Sequence, residues 1–279
     1  MRNVFAILIL LQFYFNGYCQ IDTSKTEIII IGTIHTGNKY FNHNTLYKLL
    51  DSLNPDIILK EYNQVYKPVF GLKTATFLKI INPSIEQLTL QTFSKRNKNI
   101  IILPYDTTFQ NHNTKKNQKK AEYYARKGYI KEEARIESEV FDRLQIATKE
   151  YLDSIYLSNY ITKRNNYYTL IADKKLGEIN DPQFYNTAKE LYKDDEEMIA
   201  PLIKKYLKDT ALSKEYENKL LFWNERNNYM ARQIENISKL NPKKRIIVLT
   251  GLNHKYFLVN KLSTKNINTV KLTELGKEL

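Results

Sequence analysis

Four segments of the chain end in residues that bind metals or move protons. They are Gly32-Thr33-Ile34-His35, Ile57-Ile58-Leu59-Lys60-Glu61, Pro104-Tyr105-Asp106 and Gly251-Leu252-Asn253-His254. Two imidazoles with one or two carboxylates suit a divalent ion such as Mn, Co or Zn, with coordination positions left open for water. Water on such an ion becomes a nucleophile near neutral pH. The same carboxylates and imidazoles can instead do general acid–base work without a metal. A third use of such a cleft is binding alone, of haem or a metal, in an envelope protein. The residue types leave all three open. Two further histidines fit plainer roles. His43 precedes a helix and is expected to serve its N-terminus, and His112 lies in a polar stretch and is expected to be solvated.

The elements around these segments explain why they should meet. Glu27 to Gly32, Asp56 to Glu61, Asn99 to Pro104 and Arg245 to Gly251 are short apolar runs rich in Ile and Val. Such runs suit strands buried on both faces of a parallel sheet. Between the first two, Leu46, Leu49, Leu50 and Leu53 recur at helical spacing, and Asn54-Pro55 breaks the helix. Helices are also expected over residues 68–81, from Ser84 to about Lys95 and from Tyr256 to Leu262, with a last strand from Asn266 to Leu272. Residues from about 110 to 240 are poor in glycine and rich in Lys, Glu, Tyr and Leu, which predicts an all-helical insertion. It should open with a polar loop over 111–120, break near Gly128, Gly177–Pro182 and Ala200-Pro201, and close with one long helix from Tyr216 to Leu240. The expected fold class is therefore α/β, a mainly parallel sheet built from both chain ends around a large helical insertion. In a parallel sheet the carboxyl ends of the strands share one edge, and ligands bind outside it. His35, Glu61, Asp106 and His254 should gather there.

Other chemistries find no support in the sequence. There is no Gly-x-Ser-x-Gly, no phosphate loop, no dinucleotide fingerprint and no His-Glu-x-x-His. Cys19 is the only cysteine, and it falls in a segment that reads as a signal peptide over residues 1–19. Arg2 leads an apolar run from Val4 to Phe15, too short at roughly 12 residues to span a bilayer but suited to export. Cleavage after Cys19 would leave a thiol-free domain, residues 20–279, in the periplasm or secreted. The net charge of +13 favours peripheral contact with anionic envelope surfaces. The basic residues are scattered among acids, so a nucleic-acid partner is not expected. The expected partner is a peptide or small-molecule substrate.

These residues resemble a known family, the TraB/PrgY/GumN group that includes the TIKI proteins, within a wider set of erythromycin-esterase-like and ChaN-like proteins. The likeness rests on the two Gly-x-x-His segments, the apolar strand ending in Glu61, and the helix Glu225-Arg226-Asn227-Asn228-Tyr229-Met230-Ala231. Order and spacing agree from about residue 27 to 263. Two places depart from the family's pattern: Lys60 stands where an apolar residue is usual, and no glycine-rich stretch follows His254. The resemblance implies a metal-dependent hydrolase, most simply a peptidase, with His35, Glu61 and His254 at the metal. Glu61 or Asp106 would take the proton. Arg226 would anchor a carboxylate or steady an oxyanion, and Asn227 would complete the site.

Overall fold

The computed structural model describes residues 26–34, 37–61, 84–106, 129–208, 210–265 and 268–270. His35, His112, the predicted N-terminal segment, the predicted helix over 68–81 and the polar loop over 111–120 lie outside them. No helix among the described residues is long and apolar enough to cross a membrane.

Five strands form one sheet: β1 (Glu27–Thr33), β2 (Ile57–Lys60), β3 (Ile101–Pro104), β4 (Arg245–Gly251) and β5 (Asn268–Val270). Their order is β3-β2-β4-β1-β5, and every pairing is parallel. The sheet is thus built from both chain ends, as the apolar runs predict. Its period of two divides β1 between two cores. Ile29 and Ile31 face helices α1 (His43–Leu53) and α2 (Ile85–Arg96), while Ile28 and Ile30 face the opposite side.

Local signals set the helix limits. Asn42 caps α1 by accepting from the Asn44 and Thr45 amides, and Leu46, Leu49, Leu50 and Leu53 are its buried stripe. His43 is the first residue of that helix rather than its cap, so its expected capping role belongs to Asn42. Asn54 ends α1 in the left-handed region at φ 44°, returning its N–H to Leu50 and Asp51. Ser84 caps α2 through the Gln87 amide. The third strand is a correction. It reads as buried in sequence, yet Ile101 is 48% exposed, because β3 is the edge of the sheet among the described residues. Pro104 is tolerated there because an edge strand need not donate outward.

The helical block comprises α3 (Tyr129–Thr148), α4 (Asp153–Ala172), α5 (Leu176–Ile179), α6 (Pro182–Asp194), a π-turn (Asp195–Ile199) and α7 (Ala200–Tyr206). Ala200-Pro201 does not break the chain as its residues suggest. The π-turn, with the Ala200 N–H bonded to the Asp195 carbonyl, widens the helix just ahead of the proline that lacks a donor. Asp195 is buried in that turn and accepts from Tyr160 at 2.5 Å and Tyr216 at 2.8 Å. Helix α8 (Ala211–Leu240) starts earlier than expected, at a Thr210 cap. It serves two cores. Leu212 and Tyr216 sit among the insertion's helices, while Met230, Ala231 and Ile234 pack under the sheet. The insertion therefore ends inside α8, not at its end near residue 240. Helix α9 (Leu252–Ser263) also begins earlier than expected, so Leu252, Asn253 and His254 form its first turn.

This topology singles out one crevice. From β1 the chain crosses by α1 to β2 and by α2 to β3, moving toward one edge. From β4 it crosses by α9 to β5 at the other edge. The crossings that leave the adjacent strands β2 and β4, paired Leu59 to Val248 and Lys60 to Leu249, therefore diverge toward opposite edges. Ligands in open α/β sheets bind outside the carboxyl ends at such a switch point.

Candidate active site

Glu61, after β2, and the segment Gly251 to His254, after β4, leave the sheet at this crevice, and β1, which ends at Thr33, is the other neighbour of β4. The described residues bring together five of the six residues singled out from sequence: Glu61, Asp106, Arg226, Asn227 and His254. The sixth, His35, lies outside the described residues.

Glu61 follows β2 directly and is 6% exposed. A carboxylate so placed needs partners, and it has them. The Gly251 amide donates to its Oε2 at 3.2 Å, at the positive end of helix α9. Its Oε1 is 3.4 Å from Arg226 Nη2 and 3.4 Å from His254 Nε2. Asp106 follows β3 and binds Arg226 with both oxygens, at 3.1 and 3.2 Å from Nε and 2.8 Å from Nη2. The guanidinium thus lies between two nearly buried carboxylates, and its planar fork is fixed by one of them.

His254 enters from the first turn of α9 with its ring held on two sides. Its Nδ1 donates to Asn227 Oδ1 at 2.6 Å, which leaves Nε2 facing Glu61. Trp223 stacks on the imidazole at 4.0 Å between ring centroids and 17° between planes. Tyr192 of α6 stacks on the other side of Trp223 at 4.9 Å, and Tyr256 on Tyr192 at 5.4 Å. Tyr105 lies beneath, fully buried, donating to the Leu249 carbonyl at 3.1 Å. Burial first, and the neighbouring Glu61 charge second, push its phenol well above the usual range, so it stays a neutral donor.

A second cluster supports the first Gly-x-x-His segment from behind. The Asn180 side chain accepts from the Gly32 amide at 2.7 Å and donates to the Gly32 carbonyl at 3.0 Å. It therefore bonds the Gly32 peptide as a neighbouring strand would, beyond the described pairing of β5 with Glu27 to Ile29. Lys255, 3% exposed, donates to Asn180 Oδ1 at 2.7 Å and to its carbonyl at 3.0 Å. Burial holds this amine down at about 7, opposed by the charge of Asp181. A Cβ on Gly32 would lie 2.8 Å from Leu252 Cδ1 and 3.3 Å from Lys255 Cδ, which is why glycine stands at the end of β1. The insertion grips the second segment too, through Tyr167 Oη donating to Asn253 Oδ1 at 3.1 Å.

Trp223, Tyr192, Tyr105, Asn180 and Lys255 were not singled out from sequence. Trp223 could have been, because it precedes Arg226 and Asn227 by three and four residues and so shares their helix face. Asn180 gives no local signal. Among the described residues no three His, Cys, Asp or Glu side chains converge as a metal-ligand group. A cavity of about 590 Å³ lies at the opposite edge of the sheet, between Asn54, Arg96, Ile101 and Lys244, away from all of these residues. The chain matches no model of a known protein family, no curated protein and no solved structure.

Proposed function

We propose that the protein is a hydrolase of carbonyl substrates, peptide bonds foremost, acting at the β2–β4 crevice. One observation carries the reading: His254 Nε2 and Glu61 Oε1 face each other across 3.4 Å. With Nδ1 donating to Asn227, a neutral imidazole offers its Nε2 lone pair on the Glu61 side, an arrangement suited to a cation or a shared proton. Two ligands about 2.1 Å from a tetrahedral ion stand about 3.4 Å apart, so the pair fits a divalent cation. Glu61 and His254 would hold it, with His35 as the further ligand that the TraB/GumN resemblance supplies. When bound, such an ion polarises a carbonyl and makes its water more acidic.

The chain's own residues have separate tasks in this reading. Asn227 fixes the tautomer and tilt of His254, and Trp223 covers one face of the ring. Asp106 is engaged with Arg226 through both oxygens, which leaves Glu61 as the base that takes a proton from water. Arg226, held in place by Asp106, sits beside Glu61 where charge develops. It steadies an oxyanion or anchors a substrate carboxylate. The apolar run led by Arg2 supports action outside the cytoplasm, in the periplasm or beyond.

A second reading is favoured by Arg226 itself, whose positive charge already lies 3.4 Å from the same Glu61 oxygen. In that reading a proton lies between Glu61 and His254, and the two work as base and acid without metal. Metal content and rate, measured together, separate the two. The metal reading predicts that the purified protein carries a divalent ion, that a chelator abolishes hydrolysis of a peptide and ester library, and that His254→Ala loses both. Full activity after chelation selects the metal-free reading. Wild-type protein that hydrolyses no member of the library with Mn, Co or Zn added overturns both.

A further inference from the structure

The insertion carries an apolar surface that its own core does not use. At the turn between α3 and α4, Ile146 is 78% exposed, Tyr151 58%, Leu152 76%, Ile155 56% and Tyr156 59%. All five fall within eleven consecutive residues. Leu152, Ile155 and Tyr156 are spaced as one face of the first turn of α4. The inner faces of the same two helices are already satisfied, with Val140, Leu144, Leu157 and Tyr160 buried in the insertion's core. Leu152 occupies the N-cap position of α4 and makes no capping bond, where a Ser, Thr, Asp or Asn would. A leucine there gives up local helix stability and leaves an aliphatic side chain in water.

We infer that this hairpin tip is a docking surface for an anionic lipid bilayer. Aliphatic side chains flanked by tyrosines suit the boundary between headgroups and acyl chains. Charge supplies the second signal that stable interfacial binding needs. Lys149 is exposed at the tip, and the end of α7 adds exposed Lys204, Lys205 and Lys208 beside it. Helix α7 is fastened there by Tyr206 Oη, which donates to Asp153 at 2.7 Å, and by the Tyr151–Tyr206 ring contact at 5.6 Å. Asp153 and Glu217 pair with Lys205 and Lys204, and Glu150 and Asp209 follow Lys149 and Lys208 in sequence, so the positive excess is that of the whole chain, +13. A second copy at the same face would bring two strongly positive chains together, whereas an anionic bilayer supplies the opposite charge. Tyr167, which touches Asn253, lies fifteen residues beyond Leu152 on the same helix. At about 1.5 Å per residue the docked tip would hold the crevice roughly 22 Å from the membrane surface.

The test reads the tip directly, in the full chain. An environment-sensitive fluorophore is attached at Glu150→Cys in a Cys19→Ser background and titrated with phosphatidylglycerol vesicles. A blue shift is expected with these vesicles, but not with neutral phosphatidylcholine vesicles, and it should be lost when Leu152→Asp and Ile155→Asp are added. Circular dichroism of the labelled proteins should be unchanged, because both replaced side chains are exposed. No shift with anionic vesicles, an equal shift with neutral ones, or an undiminished shift in the double variant overturns the inference. So does a shift that appears with protein concentration alone, which identifies a second copy as the occupant.

Discussion

Glu61 and Asp106 are both nearly excluded from solvent, and one guanidinium serves both. Arg226→Met would leave two buried carboxylates without that charge. A loss of about 3–5 kcal/mol in urea denaturation is expected, the range for breaking a buried pair from one side. A loss below about 1 kcal/mol would mean that the Arg226 interactions are peripheral. Asn227→Ala tests a different role. It leaves the charges alone and frees the imidazole, so metal affinity or turnover should fall by about 10–100-fold with a smaller change in stability. Lys255 gives a pH signature. Its amine titrates near 7 in the folded protein because of burial, against 10.5 when exposed. Below pH 7 it is charged in both states, and the cost of burying it is fully present. Between about 7 and 10.5 the unfolded chain holds a proton that the folded one has shed, so stability rises with pH. Lys255→Met should flatten that rise, measured by urea denaturation at several pH values. A rise that survives the substitution would assign it to another group.

At the scale of elements, the strands were readable because runs such as Ile28 to Ile31 and Ile246 to Leu249 admit little else, and the glycines after them marked the sheet edge. The limits of helices were less so. Leu252 to His254 read as a loop because nothing in those residues announces a helix start, yet the helix begins at once and aims His254 at Glu61. Pro201 read as a stop because a proline inside a helix usually is one, and the π-turn before it removed the conflict. Arg226 stands out through the family resemblance rather than the helix pattern, in which it looks like one more charged residue on a solvated face. The grip of Asn180 on Gly32 was invisible, since the partners are 148 residues apart and an asparagine amide is only chemically, not sequentially, a strand. Asn180→Ala should therefore cost more than a surface substitution. It removes both bonds to the Gly32 peptide and one of the two acceptors of Lys255, and about 2–4 kcal/mol is expected. Hydrogen exchange at the Gly32 amide should accelerate with it, and an unchanged rate would refute the clamp.

At the scale of the molecule, the helical insertion and the sheet share their contacts. Ile171 and Phe184 pack against both cores, Tyr167 reaches Asn253, and α8 runs through both. Trp223, the single tryptophan, lies at their junction on His254. Unfolding followed by its fluorescence and by helical circular dichroism should therefore coincide in one transition. Two separate midpoints would mean that the insertion folds independently of the site. We propose the crevice between β2 and β4 as a hydrolytic centre organised on Glu61. The direct measurement compares wild-type and Glu61→Gln turnover on one hydrolysed peptide or ester, with divalent ion supplied to both. Turnover should fall by at least about 100-fold, the lower range for removing an acid–base group, in a variant that remains folded. Undiminished turnover by folded Glu61→Gln would contradict it.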